Sequence, residues 1–537
     1  MELLLSLIIG IPLLGVLAIL LAKNDELVRW VALITTSASF ILSLPLLFNF
    51  EYGVINYIIE SEPLISGYDV KFLIGLDGLS MMLFMLTTFI SPIVVLASWR
   101  SITEHVAAFY SLILIFLTGS LGVFAAMDLF IFYIFFELTV FPVYFLIGIW
   151  GGANRLHATI KFFLYTLVGW LIMLVALIYV GYSAGQLVDG IVFTTDWRIL
   201  SDPAFQIGLV EQTYLFIAFA LALFIKVPLF PFHTWLPHAH TEAPTAGSVL
   251  LAAITLKMGT YGIVRFMLPL MPNATMEFAP YVGTLALIGI IYGALVAMVQ
   301  KDVKKLVAYS SVSHMGFVML GIFAFNSIGL QGALLQMVNH GLATGALFLI
   351  VGMIYERRKT RMISDFGGVA AVMPVFTVMF MIATLSSIGM PGLNGFVGEF
   401  LILLGTFNSE VLGTIWFAVL ATTGVILAAA YMLWMFRRVM FGKLDKEENK
   451  QLKDINAREI GLLIPLMIFM VWIGIRPTDF TQFSEESVDQ LLEETMTKAS
   501  IISAQADTDE LPNWANWLYD AEDITEEFRA EKTDRGE

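Results

Sequence analysis

The chain has 537 residues, 58% of them hydrophobic and only 14% charged, with a mean hydropathy of +0.83. So few charges exclude an ordinary soluble domain, and a net charge of −15 without a dense basic face argues against nucleic acid as a partner. With no cysteine there is no disulfide and no thiolate-held cluster, so any redox chemistry belongs to other chains.

Apolar runs of about twenty residues, each long enough to cross the hydrocarbon core as a helix, recur from one end to the other. No strand-like alternation competes with them, so an all-α polytopic membrane protein is predicted. Met1 opens into ELLLSLIIGIPLLGVLAILLA, which lacks a basic leader and a small-residue cleavage site and reads as the first helix, not a removed signal peptide. Further helices are predicted near 28–49, 72–98, 107–126, 128–150, 158–183, 212–234, 244–267, 279–299, 304–325, 331–355, 371–406, 413–438 and 459–476, about fourteen in all. Lysine and arginine gather in the odd-numbered loops, among them Lys23, Arg100, Arg155, Lys301, Lys304, Arg357 and Arg438, while the even-numbered loops hold chiefly Lys71 and Arg198. The positive-inside rule then makes the odd loops cytoplasmic and puts both termini on the periplasmic side. From about Pro477 the chain is acidic and polar, an extramembrane tail expected to dock on a neighbour or stay mobile.

Two of these spans are interrupted. In LFIKVPLFPFHTW, Pro228 and Pro231 stop a regular helix beside Lys226, and in SSIGMPGLNGFVGEF, Pro391 and its glycines interrupt a second span ahead of Glu399. Backbone freed at membrane depth must be shielded by protein or line a wet cavity. A pair of broken helices about five spans apart points to a repeat-built transporter, two five-helix inverted repeats with sites at mid-membrane. Glu137 in FYIFFELTVF and Lys257 in LAAITLKMGTYG complete a set of two acids and two bases in apolar helices. Each has a plainer reading: Lys226 snorkelling from a helix end, or Glu137 locked with a lysine in a static ion pair. A lysine whose proton affinity follows the position of a carboxylate is what a proton relay requires. His314, beside Ser310, Ser311 and Ser313, and His340, ahead of Thr344, are possible further members. His233, His238 and His240 fall within eight residues, but a proline-rich interfacial loop without an acidic second shell does not predict a metal site.

The stretches FELTVFPVYFLIGIWGG, KVPLFPFHTWLPHAHTEAPTAGSVLLAAITLK, AYSSVSHMGF, NHGLATGALFLIVG and MPGLNGFVGEF resemble the signature blocks of the antiporter-like membrane subunits of respiratory complex I, over about residues 70 to 445. The resemblance implies a proton-pumping module of NADH-quinone oxidoreductase in which Glu137, Lys226, Lys257 and Glu399 form the relay, with His314 and His340 in the hydrated path. Glutamate at 399, where many relatives carry lysine, marks one type within the family. The implied partners are the other membrane-arm subunits, including further antiporter-like ones, together with the lipid bilayer and protons. This chain would hold no cofactor, and NADH, flavin, Fe–S clusters and quinone would sit on partner subunits. The implied division is 1–106 for helices 1–3, 107–267 and 268–440 for the two repeats, 441–476 for the last helix and 477–537 for the tail, in a bacterial inner membrane. Thr139 replaces an expected larger apolar residue, and the tail is longer than the family pattern. A multisubunit Na⁺/H⁺ antiporter, a membrane-bound hydrogenase or a photosynthetic complex would use the same module, and a structural scaffold remains the alternative outside transport.

Overall fold

A backbone surrounded by hydrocarbon must close its hydrogen bonds within itself, and this chain does so as helices. The computed structural model describes residues 2–63 and 67–505. Among these residues twelve helices are long and apolar enough to cross a membrane. They are α1 (Leu3–Leu20), α2 (Asp25–Phe48), α3 (Met81–Ser98), α4 (Val106–Ala125), α5 (Leu129–Trp150), α6 (Arg155–Gly185), α7 (Leu209–Lys226), α9 (Thr245–Leu270), α10 (Pro272–Met298), α12 (Ser327–Arg358), α15 (Trp416–Met440) and α16 (Ala457–Ile475). Between them lie α8 (Trp235–Glu242), which continues α7 after a break, α11 (Val303–Ile322), and the split pair α13 (Pro374–Ser387) and α14 (Asn394–Phe407). Counting α11 and the split pair as one span each, the expected fourteen places are filled.

Short polar residues restart several helices. Asn24, Asp128, Asp302 and Asn326 each accept a hydrogen bond from a first-turn backbone N–H, and Asn456 forms a reciprocal capping box with Glu459. Between helices in lipid the hydrophobic effect is weak, so close backbone approach carries the packing. At Gly405, which faces Gly329, an added Cβ would lie 2.3 Å from the Gly329 backbone, and this seats α14 against α12. The apolar stretches of α9 and α12 are enclosed by their neighbours, whereas α1 and α2 turn most of their surface outward.

Three boundaries differ from the expectation. The third span begins at Met81, not near 72, because Asp77 Oδ1 accepts from the N–H groups of Leu79 and Ser80 and sets a new helix start. The residues before it form β2 (Leu73–Leu76), antiparallel to β1 (Asn56–Glu60), with Asn56 opposite Leu76 and Glu60 opposite Leu73; Tyr68–Asp69 pairs with Phe193–Thr194 nearby. A short apolar run does not distinguish strand from helix by its period, which is why FLIGL read as helix. Residues 235–242, expected as loop, are helical, and the span near 279 begins at Pro272, whose missing N–H suits a first turn.

The described part of the acidic tail folds back on this chain. α17 (Glu485–Gln505) lies on the loops that end the spans: Ser487 Oγ accepts from Gly78 N at 3.2 Å, and Asn273 Nδ2 donates to Ala499 O at 3.1 Å. Residues 506–537 of the expected tail lie outside the described residues. Lys498, buried, donates to the Leu200 carbonyl at 2.9 Å and lies 5.0 Å from the Phe205 ring centroid. Burial pushes its amine down to about 8, against the opposing charges of Asp202 and Glu494. A docked amine that protonates less readily than an undocked one carries a penalty that is complete below about pH 8 and is relieved as pH rises toward the ordinary value of 10.5. Hydrogen-exchange protection of α17, corrected for intrinsic rates, is therefore expected to rise by up to about tenfold per pH unit above pH 8. Protection that stays flat there, or that rises equally in Lys498→Met, contradicts this.

Candidate functional site

α7 ends at Lys226, where Val227 and Pro228 stop the helix and leave its terminal carbonyls as a cation-favouring end. Lys226 is 1% exposed, its Nζ has no hydrogen-bond partner in the protein, and it lies 4.4 Å from the Phe136 ring centroid. A cation–π contact is worth about 2 kcal/mol when desolvated, less than the several kcal/mol that withdrawing an ammonium from water costs. The contact with Phe136 therefore does not by itself hold a charge at Lys226. Glu137, the next residue of α5, is half-buried and acts on Lys226 through space, without a hydrogen bond. Thr139, two residues further, donates to the Phe136 carbonyl at 2.7 Å, a satisfied place for a small polar residue.

The second lysine sits inside α9, which contains two π-helical turns, Leu251–Thr255 and Ile263–Met267, on either side of a seven-residue α segment, Leu256–Gly262. Lys257 belongs to that segment and is 0% exposed. Its Nζ donates to the Ala252 carbonyl and lies 2.6 Å from His340 Nδ1 on α12. An ammonium can only donate, so a protonated Lys257 makes Nδ1 the acceptor and leaves the imidazole proton on Nε2. That Nε2 is buried without a protein partner, and the ring centroid of His314 lies 5.9 Å from that of His340. His314, on α11, meets Glu399 Oε1 at 2.9 Å through Nδ1 and Ser387 Oγ at 3.4 Å through Nε2.

Glu399 stands on α14, beyond the break of the split span. Gly389 (φ +72°) and Gly392 (φ +89°) take backbone conformations that other residues avoid, and Glu399 Oε2 lies 2.9 Å from where a Cβ on Gly389 would be. Gln336 Nε2 donates to Glu399 Oε1 at 3.2 Å, while Oε2 has no partner. Asn339 donates to Gln336 at 3.3 Å and to the Asn394 carbonyl at 2.8 Å, and Ser386 donates to Asn394 Oδ1 at 2.6 Å. Of the six sequence-predicted residues, four therefore converge: Lys257, His340, His314 and Glu399. Lys226 and Glu137 form a separate pair. Gly259 lets α9 approach α7 so closely that an added Cβ would lie 3.1 Å from Lys226 Cβ, yet no hydrogen bond joins the two lysines.

Sequence reasoning passed over Gln336 and Asn339, although QMVNH places them with His340 at helical spacing on one face. It also passed over Asn394, and the Asp77–Arg265 ion pair carries no local signal at all. Lys304, read as a loop cation, is buried and donates to the Ala243 carbonyl at 2.5 Å. The three clustered histidines diverge. His233 faces Phe230 and Tyr292, His238 faces His157, and His240 stacks on Phe348. Among the described residues no group of three or more His, Asp or Glu could hold a metal ion.

A bundle of fourteen spans, two of them broken, whose buried acids and bases meet inside it is the construction of an ion-translocating membrane protein. The family model for NADH:quinone oxidoreductase/Mrp antiporter membrane subunits matches residues 126–468, and NADH-quinone oxidoreductase subunit M of Rhodobacter capsulatus is 42% identical over 506 residues, covering 92% of this chain and 97% of the relative. The chain belongs to this family, and within it to the subunit M, or chain 4, type. NADH-ubiquinone oxidoreductase chain 4 of Marchantia polymorpha is 40% identical over 493 residues, covering 91% of this chain and 97% of its own. A chain of respiratory complex I from Thermus thermophilus superposes with a TM-score of 0.81 at 32% identity, covering 92% of this chain and 99% of that one. A chain of the Mrp complex from Dietzia sp. DQ12-45-1b, at 19% identity and a TM-score of 0.79 over 93% and 99%, shares the fold.

Proposed function

We propose that this chain is a proton-translocating membrane-arm subunit of an NADH-quinone oxidoreductase, driven by quinone reduction elsewhere in the complex. The observation that carries this reading is the run of contacts from Lys257 through His340 and His314 to Glu399, buried throughout and built from groups that both accept and release protons. NADH, flavin, Fe–S clusters and quinone belong to partner subunits, and neighbouring membrane-arm subunits flank this one. The membrane is a bacterial inner membrane with both chain termini on the periplasmic side, and the two repeats span 107–267 and 268–440.

In the cycle, Lys226 loads a proton when the charge of Glu137 favours its ammonium and releases it when that charge is withdrawn. Two unit charges about 5 Å apart at an effective dielectric near 20 interact by about 3 kcal/mol, which moves a protonation equilibrium by about a hundredfold. Water bridges the gap to Lys257. Lys257 breaks an N–H bond toward His340 Nδ1, His340 releases its Nε2 proton across a water to His314 Nε2, and His314 passes the Nδ1 proton to Glu399 Oε1. The other oxygen, Oε2, is unpartnered and lies beside Gly389 at the break between α13 and α14; rotation of the protonated carboxyl carries the O–H from the Oε1 position to that side, where it is released onward.

Lys257→Met keeps the volume and removes the proton carrier. In assembled complex it is expected to lower both quinone-reductase turnover and gradient formation by about tenfold, less than the roughly 10²–10⁴-fold typical of one general acid–base group because water can carry part of the flux past the gap. Full turnover and gradient in a complex shown intact on a native gel would sink the relay.

A further inference from the structure

The relay leaves one buried ion pair unused. Arg265 Nη2 donates to Asp77 Oδ1 at 2.5 Å, with Arg265 1% and Asp77 6% exposed. Arg265 Nε donates to Tyr261 OH at 3.1 Å, and that hydroxyl donates to the Phe124 carbonyl at 3.2 Å. The guanidinium also lies 5.5 Å from the Trp197 ring centroid. Asp77 Oδ1 holds the start of α3 through the N–H groups of Leu79 and Ser80, and the adjacent Gly78 N–H is held by Ser487 of α17. Charges this deep are expensive unless a rigid partner meets them, and here Arg265 and Tyr261 of α9 are tied to Asp77 at the start of α3 and to the Phe124 carbonyl of α4.

The placement of Arg265 within α9 gives the pair its consequence. Arg265 lies in the second π turn, Ile263–Met267, and Tyr261 in the α segment that carries Lys257. A π turn is one extra residue in an α-helix. If it relaxed to α geometry, the segment before it would rotate by about 100° and shift by about 1.5 Å relative to the helix end. A rotation of that size would carry Lys257 Nζ away from His340 Nδ1, now 2.6 Å off. We infer that Asp77, Arg265 and Tyr261 form a positioning latch that holds the second π turn and thereby aims Lys257 at His340. The inference rests on the relay reading, since an aim matters only if a proton passes there. α17 covers the latch, so the folded-back tail supports the same register from outside the span.

Arg265→Lys keeps the charge but loses the fork, and Tyr261→Phe removes one hydroxyl; both are mild enough for the complex to assemble. Each is made in full-length chain within the membrane complex, alone and combined with Lys257→Met. Turnover is expected to fall by about tenfold for Arg265→Lys and about threefold for Tyr261→Phe, with an altered pH profile, and by less than twofold in the Lys257→Met background, because residues acting through one group do not add. Equal losses in both backgrounds, or no loss and an unchanged pH profile in either variant, would overturn the latch while leaving the relay intact. Wild-type turnover in Lys257→Met itself would remove the relay and the latch together.

Discussion

Lys226→Ala is expected to reduce proton-coupled quinone reduction by about a hundredfold, the largest effect of any single side chain here. The ammonium is enclosed, unpaired by any hydrogen bond, and set against the face of the Phe136 ring. A group held so poorly as a charge has its protonation set by what surrounds it, first by burial and then by the charge of Glu137. Removing the amine deletes the proton carrier nearest the break of α7, and leaves Glu137 without the group whose protonation its charge would switch. Assembly is expected to survive, because no hydrogen bond is lost, Glu137 is only half-buried and alanine suits a helix end. Quinone-reductase turnover measured beside native-gel assembly checks this; unchanged turnover would show that Lys226 is a snorkelling or packing residue.

Glu137→Gln is expected to cost about tenfold or more in turnover while preserving the shape of the site. The carboxylate is half-buried on α5, adjacent to Phe136, and influences Lys226 through space. The amide keeps volume and hydrogen-bonding capacity but removes the charge whose approach and withdrawal switch the lysine. Glu137→Asp, which moves the charge back by one methylene, is expected to retain part of the activity. A static ion pair would behave differently: breaking a buried pair leaves an uncompensated ammonium and lowers the amount of assembled complex rather than its turnover per complex.

The broken spans were legible because Pro228 and Pro391 cannot be hidden from a helical reading, and ionisable residues in apolar runs stand out against their surroundings. The sequence also placed Gln336, Asn339 and His340 on one face, although only His340 was taken up. Nothing local connects Asp77 to Arg265, which are 188 residues apart, or brings Lys257 onto His340 across 83 residues. Such pairings are decided by how α9 and α12 are enclosed, and the π turns that aim Lys257 have no reliable residue signature. The strands at 56–60 and 73–76 pair with each other but are too short to show a period, and the return of α17 depends on loops far away in the chain.

The account rests most directly on the number of protons moved per electron by assembled complex carrying Glu137→Gln, measured in native membranes alongside quinone reduction. The expected result is intact assembly, with turnover reduced and fewer protons carried by each electron that still passes. Wild-type turnover with a wild-type proton-to-electron ratio would contradict it and make Glu137 a structural residue.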